Sequence, residues 1–406
     1  MGVMFSIKSY FSSASRGKRV YLDYASATPV VPEALRAFDR ASRLYANPGG
    51  IHTDAVAAKK LLQNARERIA AHLACKPREI IFTSGLTEGN ALAILGAARA
   101  MERVRRTLQN THWIVSSIEH SSVLECFSEI ERIGATVSHI EPDMNGIIGA
   151  DKIAEALRPE TVFVSVGWTN NEIGSVQPLA AISRVIREHE KTRHTNILLH
   201  SDAGQGPLYL SAQVHTLGVD LFALGSGKLY GPRGAGCLYA GNKAQLFPLY
   251  GGGGQERGLR SGTEDVALAC AFAEALDVIA AERHSESRRL ENLRDKLAHG
   301  LAVQIPGLLL NGAAKTALPH MLNVSVPGEK NGEYLALQLD RAGVSLSTKS
   351  ACREGESDSH VVTALGGPGW RAKNTLRFSL GRGTTEGDVV RALNALTVLL
   401  SKKDAI

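Results

Sequence analysis

ILLHSDAGQGPLYLSAQVHTLGVDLFALGSGKLYGPRGAG, residues 197–236, contains two short apolar runs that each end in turn formers. The first, Ile197 to Leu199, closes on Asp202; the second, Leu221 to Leu224, breaks into Gly225, Ser226 and Gly227 before Lys228. Runs of this length bounded by such residues read as buried strands. Asp202 then stands at the carboxyl end of its strand, where open α/β sheets gather ligand chemistry. The glycines permit close backbone approach and set one lysine on a tight turn. A lysine so placed, with a carboxylate at a neighbouring strand end, suits pyridoxal phosphate, which needs a Schiff-base amine and an anion facing its ring nitrogen. A surface lysine and an aspartate capping a helix would look the same in isolation.

Outward from this stretch, strands are expected at Glu79–Thr83, Trp113–Ser117, Ala135–Ile140 and Val162–Val166, with helical patterns between most of them. The fold class is therefore α/β: a mostly parallel sheet flanked by helices, followed by a smaller α+β domain. That smaller domain has strands near Asn323–Val326, Val344–Ser347 and Leu376–Leu380 and helices near Glu333–Arg341 and Glu386–Leu400. The division is set at 1–20 (basic leader, expected to be disordered), 21–263 (large, cofactor-binding) and 264–406 (small, carrying the Cys352 loop). The N-terminal segment has the option of packing with the small domain. After Pro32 the pattern places Leu35, Phe38 and Leu44 on one helical stripe, and in the next helix Leu61, Ala65, Ile69 and Leu73 recur every four residues. Glu264 to about Val303 reads as one long helix or two in succession.

The 406 residues suit two or three domains, and their 44% hydrophobic and 21% charged composition is that of an ordinary globular protein. No apolar run reaches the length of a membrane span. The net charge of +6 owes much to Lys8, Arg16, Lys18 and Arg19, all ahead of the first acid, Asp23, so the remainder gives no electrostatic case for nucleic acid. The acid-free, Ser-rich start reads as a cytoplasmic leader, with a mitochondrial presequence as the alternative. Five cysteines spread through the chain argue against a disulfide framework. Cys75, Cys126, Cys237 and Cys270 fall in helical or strand patterns and read as core, whereas Cys352 lies in a polar, aperiodic segment.

Other strand ends carry chemistry too. Thr83 to Glu88 follows a strand and opens a helix, which makes either a phosphate site, with N–H groups and the Thr87 hydroxyl, or an ordinary N-cap. His120 follows a strand at the same edge; it either stacks on a heteroaromatic ring and moves protons, or caps a helix. Asn171 offers an amide, or is merely a turn residue. In the tract LYGGGGQERGLRSGTED, the charges Glu256, Arg257 and Arg260 favour a specific binding loop over a spacer.

The segments YLDYASATPV, EIIFTSGLTEGNALAI, IEHSSVLE, VSVGWTNNEIGSVQP, HSDAGQ, GKLYGPRGAG, GGGGQERGLRSGT, PHMLNVSVPG, SAC and LRFSLGRGTT, in this order, resemble cysteine desulfurases of the NifS/IscS type. These are pyridoxal-phosphate enzymes of the class V aminotransferase superfamily, so the resemblance implies the fold of fold-type I pyridoxal-phosphate transferases. The resemblance runs from Tyr21 to about Leu399. It implies that Lys228 forms the Schiff base and moves the substrate Cα proton, that Asp202 keeps the ring nitrogen protonated, and that His120 stacks on the ring. Gln205 becomes the donor to the phenolic oxygen, Asn171 a cofactor and substrate contact, and Leu86 N–H with Thr87 the phosphate cup. Thr263 becomes a contact to the phosphate in the other subunit of a homodimer, and Arg377 the grip on the substrate carboxylate. Cys352 becomes the nucleophile that takes sulfur from L-cysteine as a persulfide, leaves L-alanine, and passes the sulfur to an acceptor protein for iron–sulfur cluster assembly or tRNA thiolation. A selenocysteine lyase, another class V enzyme and a cofactor-free scaffold relative are the alternatives.

Two positions depart from the family pattern. Where relatives carry Ser-Gly-His-Lys, this chain has Gly225, Ser226, Gly227 and Lys228, so Ser226 is the candidate hydroxyl for the phosphate and a weaker grip is expected. After Cys352 stand Arg353 and Glu354 in place of small hydroxyl residues. The short end SKKDAI leads to the expectation that a scaffold-docking tail is missing.

Overall fold

The computed structural model describes residues 19–105, 107–313, 316–349 and 358–401. Residues 1–18 of the basic leader, with Cys352, Arg353 and Glu354, lie outside the described residues, whereas the leader's last two, Arg19 and Val20, are described and Val20 opens the first strand, which corrects the boundary set at residue 20. The chain runs β1 (Val20–Tyr21), α1 (Pro32–Ser42), α2 (Thr53–Leu73), β2 (Ile80–Thr83), α3 (Leu86–Arg105), β3 (His112–Ser116), α4 (Ser121–Arg132), β4 (Thr136–Ile140), α5 (Ala150–Ala156), β5 (Thr161–Ser165), α6 (Leu179–Arg193), β6 (Leu198–Asp202), α7 (Val214–Leu217), β7 (Leu221–Gly225) and β8 (Gly236–Ala240). The helix α8 (Val266–Gln304) then leads to β9 (Leu309–Leu310), β10 (Met321–Ser325), α9 (Gly332–Arg341), β11 (Val344–Ser345), α10 (His360–Ala364), α11 (Trp370–Lys373), β12 (Thr375–Ser379) and α12 (Glu386–Ser401).

Seven strands form one sheet in the order β2-β8-β7-β6-β5-β3-β4, parallel except that β8 runs antiparallel to both neighbours. Successive side chains of a strand point to opposite faces. Accordingly Ile80, Ile114, Val164 and Leu199 enter a core shared with α2, α6 and α8, while their neighbours Ile81, Trp113, Phe163 and Leu198 enter a second core under α3 and α4. With both faces covered, β3 and β5 are buried at every residue, which is why they read as apolar runs without alternation.

The α1 stripe is a correction. Ala34, Ala37 and Ala41 face the core, whereas Leu35 and Phe38 are 54% and 38% exposed. Small side chains let α1 lie close against α8, so the alanines, not the larger apolar residues, mark the inner face.

The small domain has an antiparallel sheet, β12-β10-β9, and a parallel pair of β1 with β11. Leu322, Val324, Leu376 and Phe378 pack there against Leu335 of α9 and Leu396 of α12. The segment after Glu264 is a single helix of 39 residues. Its first half, through Ile279, belongs to the large core, and its second half, from Leu290, to the small one. The expected division at 263/264 thus falls just ahead of a helix shared by both cores.

Candidate active site

A cavity of about 180 Å³ opens at the carboxyl edge of the large sheet. Leu86 and Thr87 from the start of α3, His120 after β3, Asn171 after β5, Asp202 and Gln205 at the end of β6, and Lys228 after β7 all line it. Loops distant in sequence meet here because parallel strands point their carboxyl ends the same way.

Lys228 ends a single 3₁₀ turn, Ser226–Lys228. Its Nζ donates to the carbonyls of Ala25 at 2.9 Å and Ser26 at 2.7 Å. Gln205 Nε2 donates to the same Ala25 carbonyl at 3.0 Å, while its Oε1 is buried without a partner. The segment after β1 therefore brackets two of the expected cofactor residues. Asp202 accepts at Oδ1 from Gly204 N at 2.9 Å and at Oδ2 from Asn90 Nδ2 at 2.7 Å, which fixes the plane of its carboxylate.

His120 is the N-cap of α4 and also lines the cavity, so capping the helix does not take it out of the site. Its Nδ1 accepts from Ser122 N at 3.1 Å and lies 2.9 Å from Ser122 Oγ. Burial lowers its pKa, against the pull of Asp202. Beside it Glu119 is 5% exposed and takes a 2.7 Å hydrogen bond from Gly167 N at Oε1. Burial pushes its carboxyl up to about 8 despite that bond, with the Asp202 charge adding to the rise.

Asn171 is displayed by a loop that Asn170 folds: Asn170 Oδ1 accepts from Glu172 N and Ile173 N, and its Nδ2 donates to Ile118 O. The Asn171 carbonyl in turn accepts from Arg377 Nη1 at 3.0 Å. Arg377, on β12, is 1% exposed and lies behind this loop, not in the cavity wall. Its Nη2 donates to Asp23 Oδ1 at 2.9 Å and Ser26 Oγ at 2.7 Å, and its Nε has no partner.

Ser226, an expected cofactor contact, falls elsewhere, and Thr263, expected to act in the other subunit's site, lies outside this cavity. Ser226 is fully buried and its hydroxyl, without a partner, points at Gly231, where an added Cβ would stand 2.1 Å from it. It does not line the cavity, because the 3₁₀ turn rotates its side chain into the core. A Cβ at Gly225 would come within 3.0 Å of Leu86 Cβ and 3.2 Å of Leu86 N, so the glycine lets the strand end lie directly against the start of α3. Thr263 lines a second cavity of about 260 Å³ with Thr83, Gly236, Glu256 and Arg260.

The charges of the Gly-rich tract tie it down. Glu256 forms a two-pronged pair with Arg66 of α2 at 2.6 and 2.7 Å and accepts from Phe82 N at 2.9 Å. Arg260 donates to Glu88 Oε1 at 3.0 Å, and Glu88 Oε2 accepts from Ser84 N at 2.6 Å, which links the tract to the turn opening α3.

The sequence reading missed Asn90, Glu119, Ser122, Asp23 and Ser26. Asn90 follows Thr87 by three residues, which puts both on one face of α3. Asp23 is the acid in an otherwise apolar entry, YLDYA.

A family model described as Aminotransferase class-V matches residues 20–392, and the chain belongs to that family. Within it the likeness is to cysteine desulfurases of the IscS and NifS-like type. The chain is 36% identical over 389 residues to the Cysteine desulfurase IscS of Dictyoglomus turgidum (strain DSM 6724 / Z-1310), covering 95% of each chain. A solved NifS-like protein superposes with a TM-score of 0.86 at 30% identity, over 94% of this chain and 99% of that one. SspA in complex with cysteine superposes with a TM-score of 0.75 at 34% identity, over 89% and 98%. Among the described residues no helix is long and apolar enough to cross a membrane, and no cluster of His, Cys, Asp and Glu is arranged to hold a metal ion.

Proposed function

We propose that this protein is a homodimeric cytoplasmic cysteine desulfurase that binds pyridoxal phosphate, converts L-cysteine to L-alanine and hands the sulfur from Cys352 to an acceptor protein. The observation that carries this reading is the meeting of Lys228, Asp202 and His120 on one cavity. The donor set fits the cofactor: an amine, a carboxylate fixed by two hydrogen bonds, an imidazole wall, a buried amide with an orphaned oxygen, and helix-start N–H groups beside Thr87. When bound, the cofactor supplies an electron sink for the substrate Cα.

Lys228 would hold the cofactor aldehyde and afterwards move the Cα proton, and Asp202 would keep the ring nitrogen charged. Leu86 N–H and Thr87 would hold the phosphate at the start of α3. With Ser226 turned away, no hydroxyl from the lysine turn assists them. Thr263 would reach the phosphate in the partner subunit. Asn171 and Arg377 would hold the substrate carboxylate, a planar task suited to a guanidinium. The Cys352 thiolate attacks the substrate sulfur; the C–S bond breaks with its electron pair left on carbon, which a proton then completes to alanine, and an S–S bond forms.

The test is incubation with L-cysteine followed by intact mass. Cys352 should gain the mass of one sulfur atom, and Cys352→Ala should stop alanine formation while the cofactor's visible band remains. Alanine formation unaffected by Cys352→Ala would reject the reading.

A further inference from the structure

We propose that Glu172 and Ser359 are positioning residues for Cys352: they moor the downstream end of the segment carrying this thiol to a loop of the cavity wall, so that the segment begins and ends at the site it serves. The inference rests on the reading of that cavity as a cysteine desulfurase site.

Ser359 is 1% exposed and is the N-cap of α10, where its Oγ accepts from Val362 N at 3.1 Å. The same hydroxyl donates to Glu172 Oε2 at 2.6 Å, a length expected when the acceptor is a carboxylate. Glu172 is fully buried and directly follows Asn171, which lines the cavity. Its backbone is fixed from two sides: its N donates to Asn170 Oδ1 at 2.9 Å, and its carbonyl accepts from Asn323 Nδ2 of β10 at 3.0 Å. One residue beyond Ser359, His360 Nε2 lies 3.1 Å from the carbonyl of Glu119. Apolar packing points the same way, since Val361, Val362 and Leu365 form a separate buried cluster with Ile118, after β3, and Ile173, after β5. A helix of five residues does not hold itself together, so these contacts to two loops of the site decide where α10 stands.

The upstream end is fastened at the same place. Ser347 and Arg377 exchange backbone hydrogen bonds of 2.7 and 3.4 Å, and Arg377 Nη1 donates to the Asn171 carbonyl at 3.0 Å. Both ends of the segment therefore reach one dipeptide, Asn171 and Glu172. Numbering alone then bounds the thiol: a fully extended chain puts Cys352 at most about 18 Å from Ser347 and about 25 Å from Ser359. The upstream tie is backbone pairing, which tolerates a change of side chain; the downstream polar tie is the Ser359 hydroxyl.

The test uses the full-length enzyme loaded with pyridoxal phosphate and mixed rapidly with L-cysteine. Two events are timed: the first change in the visible band, which follows amino-acid binding, and the gain of sulfur on Cys352, read by quenching and intact mass. Ser359→Asp keeps a capping oxygen for Val362 N but sets a carboxylate against Glu172, whereas Ser359→Asn, of the same size, keeps the cap and supplies a donor. Expected is an unaltered first band change in both, sulfur gain about tenfold slower in Ser359→Asp, and recovery of most of that rate in Ser359→Asn. Should the larger side chains prevent folding, Ser359→Ala is expected to slow sulfur gain by a similar factor. Equal rates in the Asp and Asn variants, or a parent-like rate in Ser359→Ala, overturn the proposal. So does a first band change that weakens in step with sulfur gain, because the bond then serves substrate binding and not the thiol. A parent enzyme that gains no sulfur rejects the desulfurase reading and this proposal with it; a parent that gains sulfur no faster than Ser359→Asp rejects the proposal alone.

Discussion

Two acidic residues that the sequence did not advertise set the charge around the site. Asp23 Oδ1 and Ser26 Oγ each accept a hydrogen bond from Arg377 Nη2, and Ser26 Oγ donates to Asp23 Oδ1, so the buried guanidinium keeps one orientation. On the proposed role of Arg377 in holding the substrate carboxylate, Asp23→Ala is expected to raise KM for L-cysteine about tenfold with a smaller change in kcat, because a loosely held arginine would weaken that binding before it touched the chemistry. Steady-state kinetics of the variant decide this, and an unchanged KM would refute it. Glu119 has the opposite character, a buried carboxyl whose folded-state pKa is raised from 4.5 to about 8. The folded protein therefore binds more protons than the unfolded chain between these values, and stability contributed by Glu119 falls as pH rises from about 4.5 to about 8. Glu119→Gln should flatten that fall, gaining most relative to the parent near the upper end. Denaturant midpoints across the interval are the measurement, and parallel curves for the two proteins would contradict it.

At the scale of elements, the Gly-rich tract is held by charge pairs as well as by Leu249 and Leu259, which pack on the core under α3 and α4. Glu256 and Arg257 sit at positive φ, 46° and 60°, a conformation that non-glycine residues keep only when their surroundings enforce it. The Arg66–Glu256 pair enforces it from a nearly dry position, the two side chains being 13% and 1% exposed. Glu256→Ala strands the arginine and frees Phe82 N, and should cost about 3–5 kcal/mol, read from the urea midpoint. Faster proteolytic cleavage within residues 251–262 should accompany the loss; a variant as stable and resistant as its parent would show that the tract is anchored elsewhere. The same tract had read as a binding loop because of its charges. Spacing cannot reveal that Arg66 and Glu256, 190 residues apart, would meet.

The whole molecule is joined by α8, whose two halves bury Leu276 and Ile279 in one core and Leu290 and Leu297 in the other. Continuity of that helix should make the two cores unfold together. Ser285→Pro, at an exposed position between the halves, removes a helical hydrogen bond at a cost of about 3 kcal/mol or more and should divide one calorimetric transition into two. A single transition in the variant would mean that direct contact between the cores suffices. At this scale much was legible beforehand. The alternation of apolar runs with helical patterns gave a mostly parallel sheet, and the turn formers after those runs gave Lys228, Asp202, His120 and Asn171 as residues of one edge, because strand direction and side-chain period are local properties of the chain. The inner face of α1 was not legible, since close helix packing prefers alanine over the larger residues that mark a stripe. Nor were Asp23, Asn90, Ser122 and the inward turn of Ser226, whose places depend on which distant atoms arrive beside them. The sequence by itself determined the elements, their order and the chemistry offered at their ends; the tertiary structure alone decided which donors and acceptors meet, because a hydrogen bond depends on a few tenths of an ångström that no spacing of residues along a chain encodes.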